Sequence, residues 1–199
     1  MEFKLTKKQK AIIIGGVLGD AHLEFNGYKG TRIQIKQCQK HKTYVFWLYN
    51  ELYNLCKSPP NKRKDGSQWF FGTRYITELT ELRSIFYSKD KKIIPSNISE
   101  LLNEPLSLAI WYMDDGTLDW RPKDHFAFSL SINCFSLKEA NLLSTTLEKN
   151  FQIFSTVQNP LCRGKRYPKL YIGKKSRIKF LSTIQPHMLK CFDHKIPPL

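Results

Sequence analysis

Two segments that lie far apart in the chain repeat one pattern, an apolar run that ends in an acid. The first spans residues 13–20 (IIGGVLGD) and the second spans residues 108–116 (LAIWYMDDG). Each is followed at long range by a lysine that stands just before an Ile-Pro segment, at Lys92 and at Lys195. An internal repeat of this length predicts two structural units built on one plan.

The repeat sets the expected domain organisation. We expect an N-terminal half-domain over residues 1–95, a linker over residues 96–105 and a C-terminal half-domain over residues 106–199. Because the linker is short, the two halves should pack together rather than swing freely. A hydrophobic content of 41% in 199 residues is sufficient to build a core.

Hydrophobic periodicity predicts helices and strands in both halves, which is the mixed α/β (α+β) fold class. In the first half we predict a helix over 8–18, a strand over 31–38, a helix over 42–56, a hairpin over 61–72 and a helix over 75–87. In the second half we predict a helix over 106–114 that leads into a strand at the second acid, and then a strand over 126–133. A helix over 136–151, strands near 153–158 and 167–172, and a helix over 174–184 follow. Asp65 and Gly66 are a typical hairpin turn, and Ser136 with Glu139 predicts a capping box.

The charge of the chain restricts its partners. The 32 Lys and Arg outnumber the 17 Asp and Glu and leave a net charge of +15, which favours nucleic acid. No segment is long and apolar enough to span a membrane, and the charged N-terminus lacks the features of a secretion signal. The five cysteines form no C-x-x-C pair and the histidines show no metal-ligand spacing, which disfavours a disulfide framework or a zinc-dependent nuclease.

Alternation along the predicted strands places polar side chains on one face of each half, where they could contact DNA. Side chains of these types hydrogen-bond base edges and phosphates. The candidates for base contacts are Arg32, Gln34, Lys36, Ser129, Ser131 and Asn133. The candidates for phosphate contacts are Lys62, Lys64, Arg163, Lys165 and Lys169.

The repeated acids predict a metal-dependent reaction. Gly15 and Gly19 lie one turn apart on the first motif helix, so the second motif helix can approach closely and bring Asp20 near Asp115. Two adjacent carboxylates repel each other, and a hard divalent cation such as Mg²⁺ removes that penalty. The repeated lysines could assist an attacking water or stabilise charge on a phosphate. Matched acids and bases on a basic chain suggest a nuclease that cuts two strands.

The paired segments, with the Met-Asp-Asp-Gly form of the second, resemble the two motifs of the LAGLIDADG homing endonuclease family, in its single-chain, intron-encoded, I-SceI-like branch. The resemblance covers about residues 10 to 197. It implies two pseudo-symmetric half-domains with antiparallel, saddle-shaped sheets and a central pair of LAGLIDADG helices. It also implies a monomer that binds a long, asymmetric double-stranded DNA site and cuts it with Mg²⁺, leaving 3′ overhangs.

Position by position, the resemblance implies that Asp20 and Asp115 are the metal-binding catalytic acids and that Lys92 and Lys195 are the active-site lysines. The residues before the acids, Gly19 and Asp114, fall where a backbone carbonyl helps to bind the metal. The Lys-, Ile- and Asn-rich composition suggests an AT-rich genome and hence an organellar intron, in a mitochondrion or chloroplast; a bacterial cytoplasmic protein would look similar.

Two other functions remain open at this point. Relatives of the family act as maturases that bind intron RNA, and the presence of both acids and both lysines favours cutting without excluding that activity. A DNA-binding protein such as a repressor would need no matched acids, and we see no helix-turn-helix signature.

Overall fold

The computed structural model describes residues 4–121, 125–162 and 164–198. Its first half consists of helices and strands that alternate along the chain, starting from a helix with a Thr6–Gln9 capping box. The elements are α1 (Lys7–Leu18), β1 (His22–Phe25), β2 (Thr31–Cys38), α2 (Lys42–Glu51), β3 (Asn61–Lys62), β4 (Gln68–Gly72), α3 (Thr77–Phe86), β5 (Tyr87–Ser88) and β6 (Lys91–Lys92).

The second half repeats this order after a short connecting helix. The elements are α4 (Ile98–Leu101), α5 (Pro105–Asp115), β7 (Gly116–Arg121), β8 (His125–Ser131), α6 (Leu137–Phe151), β9 (Thr156–Gln158), β10 (Leu161–Cys162), β11 (Lys165–Arg166), β12 (Lys169–Ile172) and α7 (Arg177–Ile184). A 3₁₀ segment, Lys190–Lys195, leads to the C-terminus.

Helices α1 and α5 pack against each other at the centre of the molecule. A Cβ atom added to Gly15 would lie 2.4 Å from the Ser107 carbonyl oxygen and 2.7 Å from Ile110 Cβ. The Ser107 hydroxyl donates a hydrogen bond to the Ala11 carbonyl at 2.9 Å, which joins the two helices directly. Only glycine permits this separation, so the small residues of the first motif determine how closely the helices approach.

The two main sheets have the same antiparallel order. Their strands are arranged β1-β2-β4-β3 in the first half and β7-β8-β12-β9 in the second. Within each half, helices cover one face of the sheet, through contacts of α2 and α3 in the first half and of α6 and α7 in the second. The buried apolar residues of both halves form one core cluster that includes the central helices. This arrangement confirms the predicted fold class.

Alignment of the two motifs makes the halves comparable position by position. Ala21 corresponds to Gly116, and the register of each first hairpin pairs His22 with Gln34 and Thr117 with Ser129. Gln34 and Ser129 are therefore equivalent positions. The remaining positions of β2 and β8 correspond in the same register.

Several predicted boundaries were wrong. The helix predicted over 42–56 ends at Glu51, and a 3₁₀ turn (Tyr53–Leu55) follows that allows both Leu52 and Leu55 to be fully buried. The last helix begins at Arg177 rather than at residue 174. Strand β1 and the hairpins β5–β6 and β10–β11 were missed, because segments of two to four residues are too short to show alternation.

Among the helices of the described residues, none has the length and apolar character that crossing a membrane would require.

Candidate active site

The repeated acids meet where the C-terminal ends of α1 and α5 come together. The Asp20 backbone N–H donates a hydrogen bond to Asp114 Oδ2 at 3.2 Å, which connects the two motifs. Asp20 is exposed, whereas Asp114 and Asp115 are partly buried. Three carboxyl groups therefore cluster at one end of the central helix pair, and Asp20 faces solvent.

The first half contributes an amide to this cluster from the adjacent strand. Gln37 Nε2 donates hydrogen bonds to Asp20 Oδ2 at 2.8 Å and to Asp114 Oδ1 at 3.2 Å. Gln37 was missed in the sequence analysis, although a signal was available. It follows Ile33 and Ile35 in the alternation of β2, so it lies on the face that packs against the helices.

Each predicted lysine donates to carbonyl oxygens at the C-terminal end of one motif helix, although the two sets of carbonyls are not equivalent. Lys92 Nζ donates to the carbonyl oxygens of Gly19 at 2.8 Å and Ala21 at 3.1 Å. Lys195 Nζ donates to the Met113 carbonyl at 2.7 Å. The last carbonyls of a helix lack partners within it and attract positive charge, so both lysines satisfy the helix ends beside the acids.

The cluster resists full ionisation. Burial and the nearby Asp20 carboxylate raise the pKa of Asp115 to about 7. The same two causes raise the pKa of Asp114 well above its ordinary value. Burial lowers the pKa of both Lys92 and Lys195. A cation placed among the carboxylates would favour their charged forms.

The donor set fits a hard divalent cation that is bound by few protein ligands. Across residues 4–121, 125–162 and 164–198, no group of three or more His, Cys, Asp or Glu side chains is arranged to hold a metal. The candidate donors are the Asp20 and Asp115 carboxylates and the carbonyls of Gly19 and Asp114. In this structure both carbonyls also accept from lysines, Gly19 from Lys92 Nζ at 2.8 Å and Asp114 from Lys195 Nζ at 3.4 Å. Mg²⁺ commonly binds to one or two carboxylates, keeps several waters and completes its shell with phosphate oxygens.

The predicted base-contacting residues of the first half share the open face of β2. Arg32 forms an ion pair with Glu24 of β1, Gln34 donates to the same carboxylate, and Lys36 is exposed. The predicted phosphate-contacting residues Lys62 and Lys64 are exposed in and just after β3. Lys36 lies nearest the acids, since it lines the same small cavity as Asp20 and Asp114.

The second sheet carries a smaller and less charged set on the equivalent face. Ser129 lies opposite Tyr171, and Ser131 lies opposite Lys169. The other predicted residues of this half are Asn133, which is exposed just beyond β8, Lys165, which is exposed in β11, and Arg163, which lies outside the described residues.

Comparison with known proteins identifies the family. The model of the family described as LAGLIDADG DNA endonuclease matches residues 10–180. The chain belongs to this LAGLIDADG family.

Curated relatives of the chain include DNA endonucleases and mRNA maturases. The chain is 28% identical over 210 residues to the DNA endonuclease I-ChuI of Chlamydomonas applanata, a match that covers 96% of this chain and 95% of that protein. It is 29% identical over 203 residues to the cytochrome b mRNA maturase bI2 of Saccharomyces cerevisiae, with 94% of this chain and 46% of the maturase covered. It is 31% identical over 134 residues to the intron-encoded endonuclease ai4 of Dictyostelium discoideum, with 67% and 79% covered.

Solved structures show the same LAGLIDADG fold. The homing endonuclease I-WcaI, bound to its DNA recognition sequence, superposes with a TM-score of 0.85 at 23% identity, over 98% of this chain and 88% of that one. I-DmoI in complex with DNA and Mn superposes with a TM-score of 0.53 at 20% identity, over 90% and 97%. At these identities the similarity establishes the fold.

Proposed function

We propose that this protein is a homing endonuclease that makes a metal-dependent double-strand break at a long, asymmetric DNA site. The observation that carries the proposal is the cluster of Asp20, Asp114 and Asp115 where α1 and α5 end. Lys92 donates to carbonyls at the end of α1, and Lys195 donates to carbonyls at the end of α5. Two equivalent sets of acid and base in one chain match the two strands of a duplex.

The two acids would hold a divalent cation at the ends of the central helices. Asp20 and Asp115 would bind Mg²⁺ together with the Gly19 and Asp114 carbonyls. The structures of I-DmoI with DNA and Mn support a divalent ion. Once bound, such an ion lowers the pKa of an attacking water and stabilises the leaving oxygen of a phosphodiester.

Lys92 and Lys195 would supply positive charge and an exchangeable proton at the proposed active site. Each amine is fixed to helix-end carbonyls, so its position is set before DNA binds. Their lowered pKa values bring both amines closer to the range in which they exchange protons with water. We propose that Lys92 and Lys195 orient the attacking water and stabilise negative charge on the phosphate.

The open faces of the two sheets form the proposed DNA-binding surface. The first face carries Arg32, Gln34 and Lys36, whereas the second carries Ser129 and Ser131, so the two halves present different hydrogen-bonding groups. Different groups read different half-sites, and the preferred DNA site is therefore asymmetric.

A cleavage-site selection tests this proposal. Purified protein is incubated with a randomised duplex library in Mg²⁺ or in EDTA, beside the variants Asp20→Asn and Asp115→Asn. We expect double-strand cuts at one long site with Mg²⁺ only, and no cuts by either variant although both still bind that site. DNA binding without cutting in any divalent ion would overturn the endonuclease proposal.

Intron RNA binding is the second candidate, and the similarity to the maturase bI2 of yeast is the observation that favours it. If the protein binds an intron RNA tightly and this RNA does not compete with DNA for binding, one protein would have both the endonuclease and the maturase activity. The intron-encoded relative of Dictyostelium supports the related proposal that an organellar intron encodes this chain.

A further inference from the structure

An acidic side chain lies among the basic ones on the open face of the first sheet. Glu24 of β1 stands directly opposite Arg32 of β2 in the antiparallel register. Arg32 Nε donates to Glu24 Oε2, and Gln34 Nε2 donates to the same oxygen at 2.7 Å. One carboxylate therefore holds two neighbouring side chains that face the proposed DNA.

A carboxylate in this place opposes DNA binding unless it has a specific role, because it repels phosphates. We propose that Glu24 is a specificity-determining residue that orients Arg32 and Gln34 for reading two base pairs of the DNA site. This inference rests on the proposed function, since it requires DNA to lie on this face.

The hydrogen bonds to Glu24 leave other polar groups of Arg32 and Gln34 free to contact bases. Arg32 uses its Nε–H on Glu24, so its terminal N–H groups remain available for the O6 and N7 acceptors of guanine. The guanidinium also lies 5.5 Å from the centre of the Tyr75 ring, which restricts its plane. Arginine fixed in this way favours guanine over other bases.

Gln34 is oriented by the same contact. An amide can rotate so that its oxygen and nitrogen exchange places, and the bond from Gln34 Nε2 to Glu24 selects one orientation. In that orientation Oε1 and the second N–H remain free, which is the pair that adenine N6 and N7 require. Without Glu24, the amide would present either end to the base.

The surface around these residues has the shape and composition of a binding face. A depression of about 410 Å³ lies beside Arg32 and Gln34 and is also lined by Lys36, Lys57 and Phe70. The second sheet lacks the arrangement among its described residues. Asp119 occupies the position equivalent to Glu24, but it lies opposite Ala127 and contacts Arg121 of its own strand instead.

Glu24→Gln tests the proposal in the full-length protein, with cleavage-site selection and salt-dependent DNA binding as readouts. We expect preference for guanine and adenine at the two base pairs facing Arg32 and Gln34 to fall about tenfold. We also expect tighter binding to unrelated DNA and a steeper salt dependence, by about 0.9 in the logarithmic slope, because the freed Arg32 reaches a phosphate.

Asp65→Asn is the matched control, because it removes an acid that pairs with Arg63 at the β3–β4 turn. It should leave every base preference unchanged. Arg32→Lys keeps the charge but loses the planar fork, so it should lose the guanine preference and give a second test if Glu24→Gln folds poorly.

Two outcomes would overturn the inference. Uniformly tighter binding by Glu24→Gln with unchanged base preferences would show that Glu24 acts through charge alone. A lower melting temperature with unchanged DNA binding would show that it acts only within the fold. Both outcomes leave the endonuclease proposal intact, which fails only if the unaltered protein does not cut DNA.

Discussion

The two halves of the chain share one order of elements but differ at the ends of their central helices. Gly19 directly follows α1, at the position that Asp114 occupies in the second motif. A Cβ atom on Gly19 would lie 2.5 Å from Asp114 Oδ2. The strand position of Gln37 is occupied in the second half by Ile132, which is buried. The first acid therefore receives a hydrogen bond from a side-chain amide, whereas the second half offers an apolar residue at the same place.

This difference shows which features a pseudo-symmetric site must keep and which can diverge. Both halves keep an acid, a lysine and a helix end. Under the proposed function these groups would act on a phosphate that is chemically the same on each strand, which explains why they are shared. The groups around the acids differ, since only one side chain can fill the space between two helices that pack this closely.

The lysines should give the largest effect, and an equal one in both halves. We expect Lys92→Met and Lys195→Met each to reduce the cleavage rate by about 10² to 10³-fold, as for removal of one transition-state donor. The measurement is single-turnover cleavage with each strand labelled separately. Lys91→Met and Lys190→Met, which alter exposed neighbours, should cleave normally. If only one of the two active-site variants is impaired, the two halves do not share a mechanism.

The helix contact should be the next most sensitive feature. Gly15→Ala places a methyl group 2.4 Å from the Ser107 carbonyl, and we expect it to lower the free energy of unfolding by about 3 kcal/mol. Denaturant unfolding measures this change. Gly72→Ala is the control, because its added Cβ would lie no closer than 3.5 Å to its neighbours. An equal, small effect of both substitutions would mean that the helices separate easily.

The helices and the acids could be predicted from the sequence, because long periodic segments and a repeated motif are visible without knowledge of tertiary contacts. Helix α6 is an example, since its Ser136–Glu139 capping box is visible in the chain and present in the structure. The hydrogen bonds of Gln37 and Glu24 could not be predicted, because they depend on register between strands and on the distance between two helices. The short hairpin β5–β6, which positions Lys92, shows no pattern of its own.

The raised pKa of Asp115 predicts a pH-dependent stability. The pKa of this carboxyl is about 3.9 in an unfolded chain and is raised to about 7 in the folded protein, so the folded state binds more protons between these values. Stability contributed by the neutral carboxyl is present below about pH 4 and is lost as the pH rises through 7. A shift of this size corresponds to about 4 kcal/mol for a fully buried carboxyl. Because Asp115 is partly exposed and solvent screens its charge, we expect Asp115→Asn to stabilise the metal-free protein by about 2 kcal/mol at pH 8 and by little at pH 4.

Thermal unfolding in EDTA at both pH values measures this difference. Added Mg²⁺ should stabilise the unaltered protein at pH 8 more than it stabilises Asp115→Asn, because binding to the folded state shifts the unfolding equilibrium. Equal stabilisation of Asp115→Asn at pH 4 and pH 8 would contradict the link between burial and protonation at this acid.

The smallest effect should come from making the two halves alike. Gln37→Leu replaces the amide that contacts Asp20 and Asp114 with an apolar group, as Ile132 does in the second half. The variant should cut one strand, the one served by Asp20, about tenfold more slowly, because that acid loses a positioning contact. Nicked intermediates measured by strand-specific labels would then accumulate, whereas Gln185→Leu, an exposed control, should leave both rates unchanged. Equal slowing of both strands would mean that Gln37 supports the whole cluster through Asp114 rather than Asp20 alone, and the asymmetry of the hydrogen bonds would then have no counterpart in the reaction.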